Sequence, residues 1–176
     1  MVFRGRGDRV AALRLVSILG GEAKVRYLAD GTTELLVAEN SGFVPHPATT
    51  GVSGTYAAGL LTVTIPRASL YGADPIGVRV LSSREQQMGA ALYTSSDSAP
   101  DDGFLSSSGK DTSRLADFGT DNEVAPDITF VRVSDTADGW IRFEVTTSNF
   151  ATLRGDSVLA VSIDAATRVH RRTGRA

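Results

Sequence analysis

Three acids stand close together in "SDSAPDDGF": Asp97, Asp101 and Asp102. Carboxylates at that spacing supply the hard oxygen ligands that Ca²⁺ takes, so these are the candidate metal residues. Against that, acids in a polar stretch commonly serve only solubility. A second chemistry, contact with sugar rings, calls for aromatic faces with polar groups at the rim. Its candidates are Trp140, Tyr27 and Tyr56, with Tyr71 and Tyr93 completing the tyrosine set. Trp140 is the only tryptophan and follows a turn, so packing over the end of a hairpin competes with ligand stacking and is the favoured reading.

Catalytic options are narrow. There is no cysteine, which removes disulfides, thiolate chemistry and Cys-ligated metals. The two histidines are His46, bracketed by prolines in "VPHPA", and His170 in a basic tail. "GVSGT" (51–55) is not a nucleophile elbow, and no acid–histidine pair is placed to serve Ser53. "SSGKDTS" (107–113) lacks the glycine spacing and the strand-to-helix setting of a phosphate loop. Paired carboxylates cannot be singled out from spacing alone. No enzyme is expected.

The elements that would hold these residues are strands. "EAKVRYLADGTTELLVAE" (22–39) reads as two strands around Asp30-Gly31, a pair suited to a tight hairpin turn. "ALRLVSIL" (12–19) alternates, "GLLTVTIP" puts Leu61, Val63 and Ile65 on one face, and Pro66 should end that strand. Residues 41–58 read as a loop with a short strand near 52–56, and 76–83 as a further strand. "MGAALYTSS" (88–96) offers one more strand; no segment has a convincing amphipathic helix, and "SSREQQMGAAL" is the best candidate for a short one. "DITFVRVS" (127–134) and "GWIRFEVTT" (139–147) form the clearest pair. There Val131, Val133, Ile141, Phe143 and Val145 make an apolar face opposite Arg132, Trp140, Arg142 and Glu144. "DSVLAVSID" (156–164) follows. The fold class expected is all-β, an antiparallel sandwich of immunoglobulin or jelly-roll type.

Composition agrees with one folded domain over residues 1–176. The chain is 41% hydrophobic and 22% charged, with a net charge of −2 that gives no general pull toward nucleic acid or anionic membrane. Residues 95–138 hold ten acids against three bases, whereas both termini are basic. The stretch 95–124, rich in Ser, Asp and Gly, reads as an acidic linker. No window is apolar enough to span a membrane, and Arg14 and Asp8 argue against a cleaved leader.

The segment "APDITFVRVSDTADGWIRFEVTTSNFATLRGDSVLAVSIDAATRVHRRTG" resembles the opening half of secreted bacterial β-sandwich modules, similar to DOMON domains and family 9 carbohydrate-binding modules. "ADGTTELL", "LLTVTIPRASLYG", "IGVRVLSS" and "SDSAPDDGF" resemble their closing half, so residues 10–105 and 125–176 appear in rotated order. Circular permutation, a fragment cut across tandem modules, and exchange of halves between two copies would each produce that order. A plain sandwich with an illusory rotation is the competing reading. The resemblance implies an extracellular or cell-surface location and a non-catalytic binding or accessory module contacting a glycan. An assembly domain pairing by strand complementation with a neighbouring module or in a homodimer is the alternative. The Ca²⁺ turn of such modules is not expected here, because Asp164 is followed by Ala166 where the second acid belongs, then by Arg168, His170, Arg171 and Arg172. Some DOMON-like domains bind haem through Met and His; Met88 and His46 are the one pairing to name, and haem is not expected. The family 9 modules hold sugars between two tryptophans, where this chain has one.

Overall fold

A computed structural model describes residues 23–39, 42–46, 51–70, 76–101, 103–107, 112–117 and 124–164. Alternation of apolar and polar residues produces strands through nearly all of them. These are β1 (Ala23–Leu28), β2 (Thr33–Glu39), β3 (Gly42–Pro45), β4 (Ser53–Ala57), β5 (Leu60–Pro66), β6 (Ile76–Met88), β7 (Ala91–Ala99), β8 (Leu105–Ser107), β9 (Ser113–Ala116), β10 (Ile128–Asp135), β11 (Trp140–Thr147) and β12 (Ser157–Asp164). As expected, Pro66 is the last residue of β5, and a 3₁₀ turn (Arg67–Leu70) follows it.

Two antiparallel sheets face each other. One has seven strands in the order β3-β2-β1-β12-β6-β7, with β8 also paired to β6; the other has five in the order β4-β5-β11-β10-β9. The all-β sandwich expectation is met. Both resembling segments build both sheets: β11 bonds to β5 with Phe143 opposite Val63, and β12 lies between β1 and β6. Leu61, Val63, Ile65, Val133, Ile141, Phe143 and Val145 thus share one inner face, packed in a single core with Val25, Leu35, Val78, Val80, Leu159 and Val161 of the facing sheet. The strand order of the described residues gives no support to a permuted origin.

Several local expectations change. The stretch "SSREQQMGAAL" is not helical: Arg84–Met88 extend β6 and pair with Ala91–Ser95 across a two-residue turn in which Gly89 has φ +66°. Its residues favour helix on their own, but a free partner strand outweighs that weak preference. Within the presumed linker, 95–99 complete β7, while Leu105–Ser107 pair with β6 and Ser113–Ala116 with β10. Within the presumed loop 41–58, Gly42–Pro45 form the edge strand β3. Ile128 belongs by parity with the outward residues, yet is only 1% exposed, because a register shift between Ile128 and Phe130 turns it inward. The expected strand 12–19 lies outside the described residues. Among the described residues no helix is long and apolar enough to cross a membrane.

Candidate functional site

The β10–β11 turn is held tightly. The Thr136 amide donates to the Trp140 carbonyl at 2.8 Å, and the Gly139 amide donates to the Thr136 carbonyl at 3.1 Å. The Thr136 hydroxyl reaches the Asp138 carboxylate, and the Trp140 amide donates to Thr136 Oγ1 at 3.1 Å. Arg67, just past β5, donates through Nη2 to Asp135 at 2.6 Å and through its backbone amide to the Gly139 carbonyl at 3.0 Å. The turn is therefore anchored to its neighbouring strand as well as to itself.

Strand parity then decides what this end of the sheet presents. Ile141, Phe143 and Val145 point into the core, so Trp140, Arg142 and Glu144 point out. Trp140 is half-buried because its ring edge lies against Gly51. A methyl group at that glycine would sit 2.5 Å from Trp140 Cη2 and 3.3 Å from Pro66 Cγ, and φ of +97° disfavours any side chain there as well. Pro66 is the register partner of Trp140, while Thr64 is opposite Arg142 on one side and Ser53 on the other. The result is a shallow recess of about 240 Å³, with Trp140 beside Ser53, Thr64, Thr136, Asp138 and Arg142. It combines an aromatic ring, hydroxyls, one carboxylate and one guanidinium. Packing and a lining position are both true of Trp140.

The other sequence-level candidates lie elsewhere. Tyr27 is 7% exposed and belongs to the core; a side chain at Gly54 would fall 2.8 Å from its Cδ2. Tyr56 lies 6.4 Å from Tyr27 between ring centroids, and its hydroxyl is bonded to Thr147 Oγ1 at 2.6 Å and to the Phe150 carbonyl. Burial holds its phenol above the usual range, with the Thr147 bond opposing that shift. Neither tyrosine lines the recess, and both act as packing and fastening groups instead. His46 follows β3 and Met88 ends β6, four strand positions apart in one sheet. At about 4.8 Å per strand that is roughly 19 Å, too far to converge on one iron.

Two of the three proposed metal residues do come together. Carboxylate oxygens of Asp97, Asp101 and Asp117 lie within 4.8 Å of one another. Asp102 lies outside the described residues. Asp117 directly follows β9 and reaches this corner only because β9 pairs with β10, which no local spacing announces. The cluster already has structural duties. Asp97 is 9% exposed, accepts from the Ser98 amide at 2.7 Å and from the buried Ile128 amide at 2.6 Å, and so ties β7 to the start of β10. Arg79 donates to Ser98 Oγ at 3.0 Å and to the Asp101 carbonyl at 2.6 Å, bringing positive charge to the same corner. Hard cations favour sites with little positive charge nearby.

The recess was only half visible from the sequence. Parity along "GWIRFEV" places Arg142 with Trp140, but Ser53, Thr64 and the covering Gly51 come from 76 or more positions earlier and follow only from register. Comparison with protein-family models, with curated proteins and with solved structures finds no match to this chain.

Proposed function

We propose that this chain is a non-catalytic binding module, acting outside the cell or at its surface, that contacts carbohydrate through the recess beside Trp140. The observation that carries the proposal is the pairing of a half-buried indole, packed against Gly51, with hydroxyl, carboxylate and guanidinium groups in one open recess. Sugar rings present an apolar C–H face and a polar rim, and these groups match both. Glycoside hydrolysis uses carboxylates in pairs, whereas among the described residues Asp138 is the only carboxylate lining this recess. Affinity titration with neutral and acidic oligosaccharides tests the proposal. Binding at millimolar concentration or tighter, lost about tenfold or more in Trp140→Ala, supports it. Absence of binding by every sugar sinks it.

A second reading, assembly through pairing with a second copy, is favoured by a different feature. Among the described strands β7 is at the sheet edge, and around the β6–β7 turn Met88, Leu92 and Tyr93 are 64%, 61% and 56% exposed. Between Glu85 and Asp97 there is no charge and no proline, the usual guards of a sheet edge. Antiparallel pairing of β7 with its own copy would cover both backbone edge and side chains. Light scattering over a concentration series checks it: a dimer dissociated by Leu92→Asp supports assembly, and a monomer throughout excludes it.

A further inference from the structure

We infer that the outer face of the five-stranded sheet selects an acidic oligosaccharide, stacking one ring on Trp140 and pairing anionic groups with Arg142 and Arg114. The inference rests on the carbohydrate reading above and adds the class of sugar.

The charges of this face follow from register. Arg142 stands two residues beyond Trp140 on β11, and Glu144 two beyond that. Glu144 lies opposite Arg132 on β10, and Arg132 opposite Arg114 on β9, so Glu144, Arg132 and Arg114 form one row across three strands. Arg132 is ion-paired with Glu144. That leaves the only acid among the described strand positions of this face engaged. Arg142 and Arg114 are both exposed, and neither has an acid within ion-pair distance among the described residues. With Asp138 at the turn counted, three arginines stand against two acids among the described residues here, a local excess of positive charge on a chain whose net charge is −2.

Geometry makes these groups a track. Trp140 to Arg142 spans about 7 Å along the strand and Trp140 to Glu144 about 14 Å, while Arg114 lies about 10 Å from Glu144 across the row, giving a Trp140-to-Arg114 diagonal of roughly 17 Å. Thr64 and Ser134 flank Arg142 as its register partners on β5 and β10, and supply hydroxyls for the sugar rim. Asp138 lies on the far side of Trp140 and can accept from sugar hydroxyls. A planar guanidinium binds a carboxylate or a sulfate through two parallel N–H donors, which a neutral sugar cannot exploit. Nucleic acid fits less well, because its binders line up a denser row of cations and stack successive bases.

Trp140 is the sole tryptophan, so intrinsic fluorescence reports on the site directly. The test titrates the full chain with an oligogalacturonate, a neutral xylo-oligosaccharide of equal length, a heparin oligosaccharide and single-stranded DNA. The uronate is expected to bind about tenfold tighter than the neutral sugar at low ionic strength. That advantage should shrink as ionic strength rises from about 0.01 M to 1 M, where screening falls to about 3 Å. In Arg142→Gln with Arg114→Gln, checked for an unchanged melting temperature, the acidic-to-neutral ratio should fall to near one. Equal binding of heparin with the same arginine dependence supports an anionic track read through sulfate as well as carboxylate. Equal affinity for uronate and neutral sugar overturns the inference and leaves the carbohydrate reading intact, as does a ratio unmoved by the double substitution. DNA binding tighter than any sugar also overturns the inference, and absence of all sugar binding removes the carbohydrate reading itself.

Discussion

Two antiparallel hairpins of this sandwich differ in turn, in neighbours and in what they present to solvent. The β10–β11 hairpin sits inside its sheet, flanked by β9 and β5, and its turn is fastened by Thr136 and by the Arg67–Asp135 ion pair. The β6–β7 hairpin ends in a tip where Met88, Leu92 and Tyr93 lie open to solvent. The first holds an aromatic ring rigidly among polar groups; the second presents apolar side chains with little to hold them. Rigid placement of few groups suits recognition of a small, shaped ligand, since little ordering entropy remains to be lost on binding. An exposed apolar hairpin tip at a sheet edge suits association with another strand.

The widest separation between the two hairpins should appear in stability. Phe143→Ala, directly behind the recess and 0% exposed, is expected to cost about 3–5 kcal/mol. Leu92→Ala at the open tip should stay within about 0.5 kcal/mol, and denaturant titration of both compares them. A cost above about 2 kcal/mol for Leu92→Ala would show that the tip is packed. Arg67→Ala comes next, at about 1–3 kcal/mol, because Asp135 would keep a partly buried carboxylate without its partner. It should also loosen the turn and shift tryptophan emission, whereas an unshifted spectrum would mean the turn holds without the ion pair.

Gly51→Ala should have a smaller effect on stability, about 1–2 kcal/mol, with a larger one on the ring. Its methyl group cannot coexist with Trp140 in place, so emission should move and sugar affinity should fall together. A separate effect concerns Lys24, in neither hairpin. Burial, reinforced by the neighbouring Arg26, lowers its pKa from 10.5 to about 8. Between those values the unfolded chain binds the extra proton, so stability from this group rises with pH through about 8 to 10.5. The ammonium lies 4.6 Å from the Phe43 ring centroid, a contact that offsets part of the penalty. The melting-temperature advantage of Lys24→Met over the native chain should therefore shrink from pH 7 to pH 10; a constant gap would contradict the shift.

The same contrast explains what could be read in the sequence. The β10–β11 hairpin was legible because its alternation is long and its Asp138-Gly139 turn is explicit. β3, β8 and β9 escaped notice because three or four residues among glycines, serines and prolines show no period. The β6 extension invites a short-helix reading because Arg84–Met88 favour helix locally, and only the partner strand decides otherwise. For the site, residue type marked Trp140 and parity marked Arg142. Ser53, Thr64 and Asp117 meet their companions through strand pairing across the chain, and pairing is not a local property.

The most direct test follows the single indole N–H signal of Trp140 by NMR, together with the amides of Leu92 and Tyr93, during titration with oligosaccharide. If the recess is the binding site, the indole resonance and the amides of Thr136 and Arg142 move saturably while those of Leu92 and Tyr93 stay fixed. Movement at Leu92 and Tyr93 with a stationary indole would contradict it and place recognition at the other hairpin.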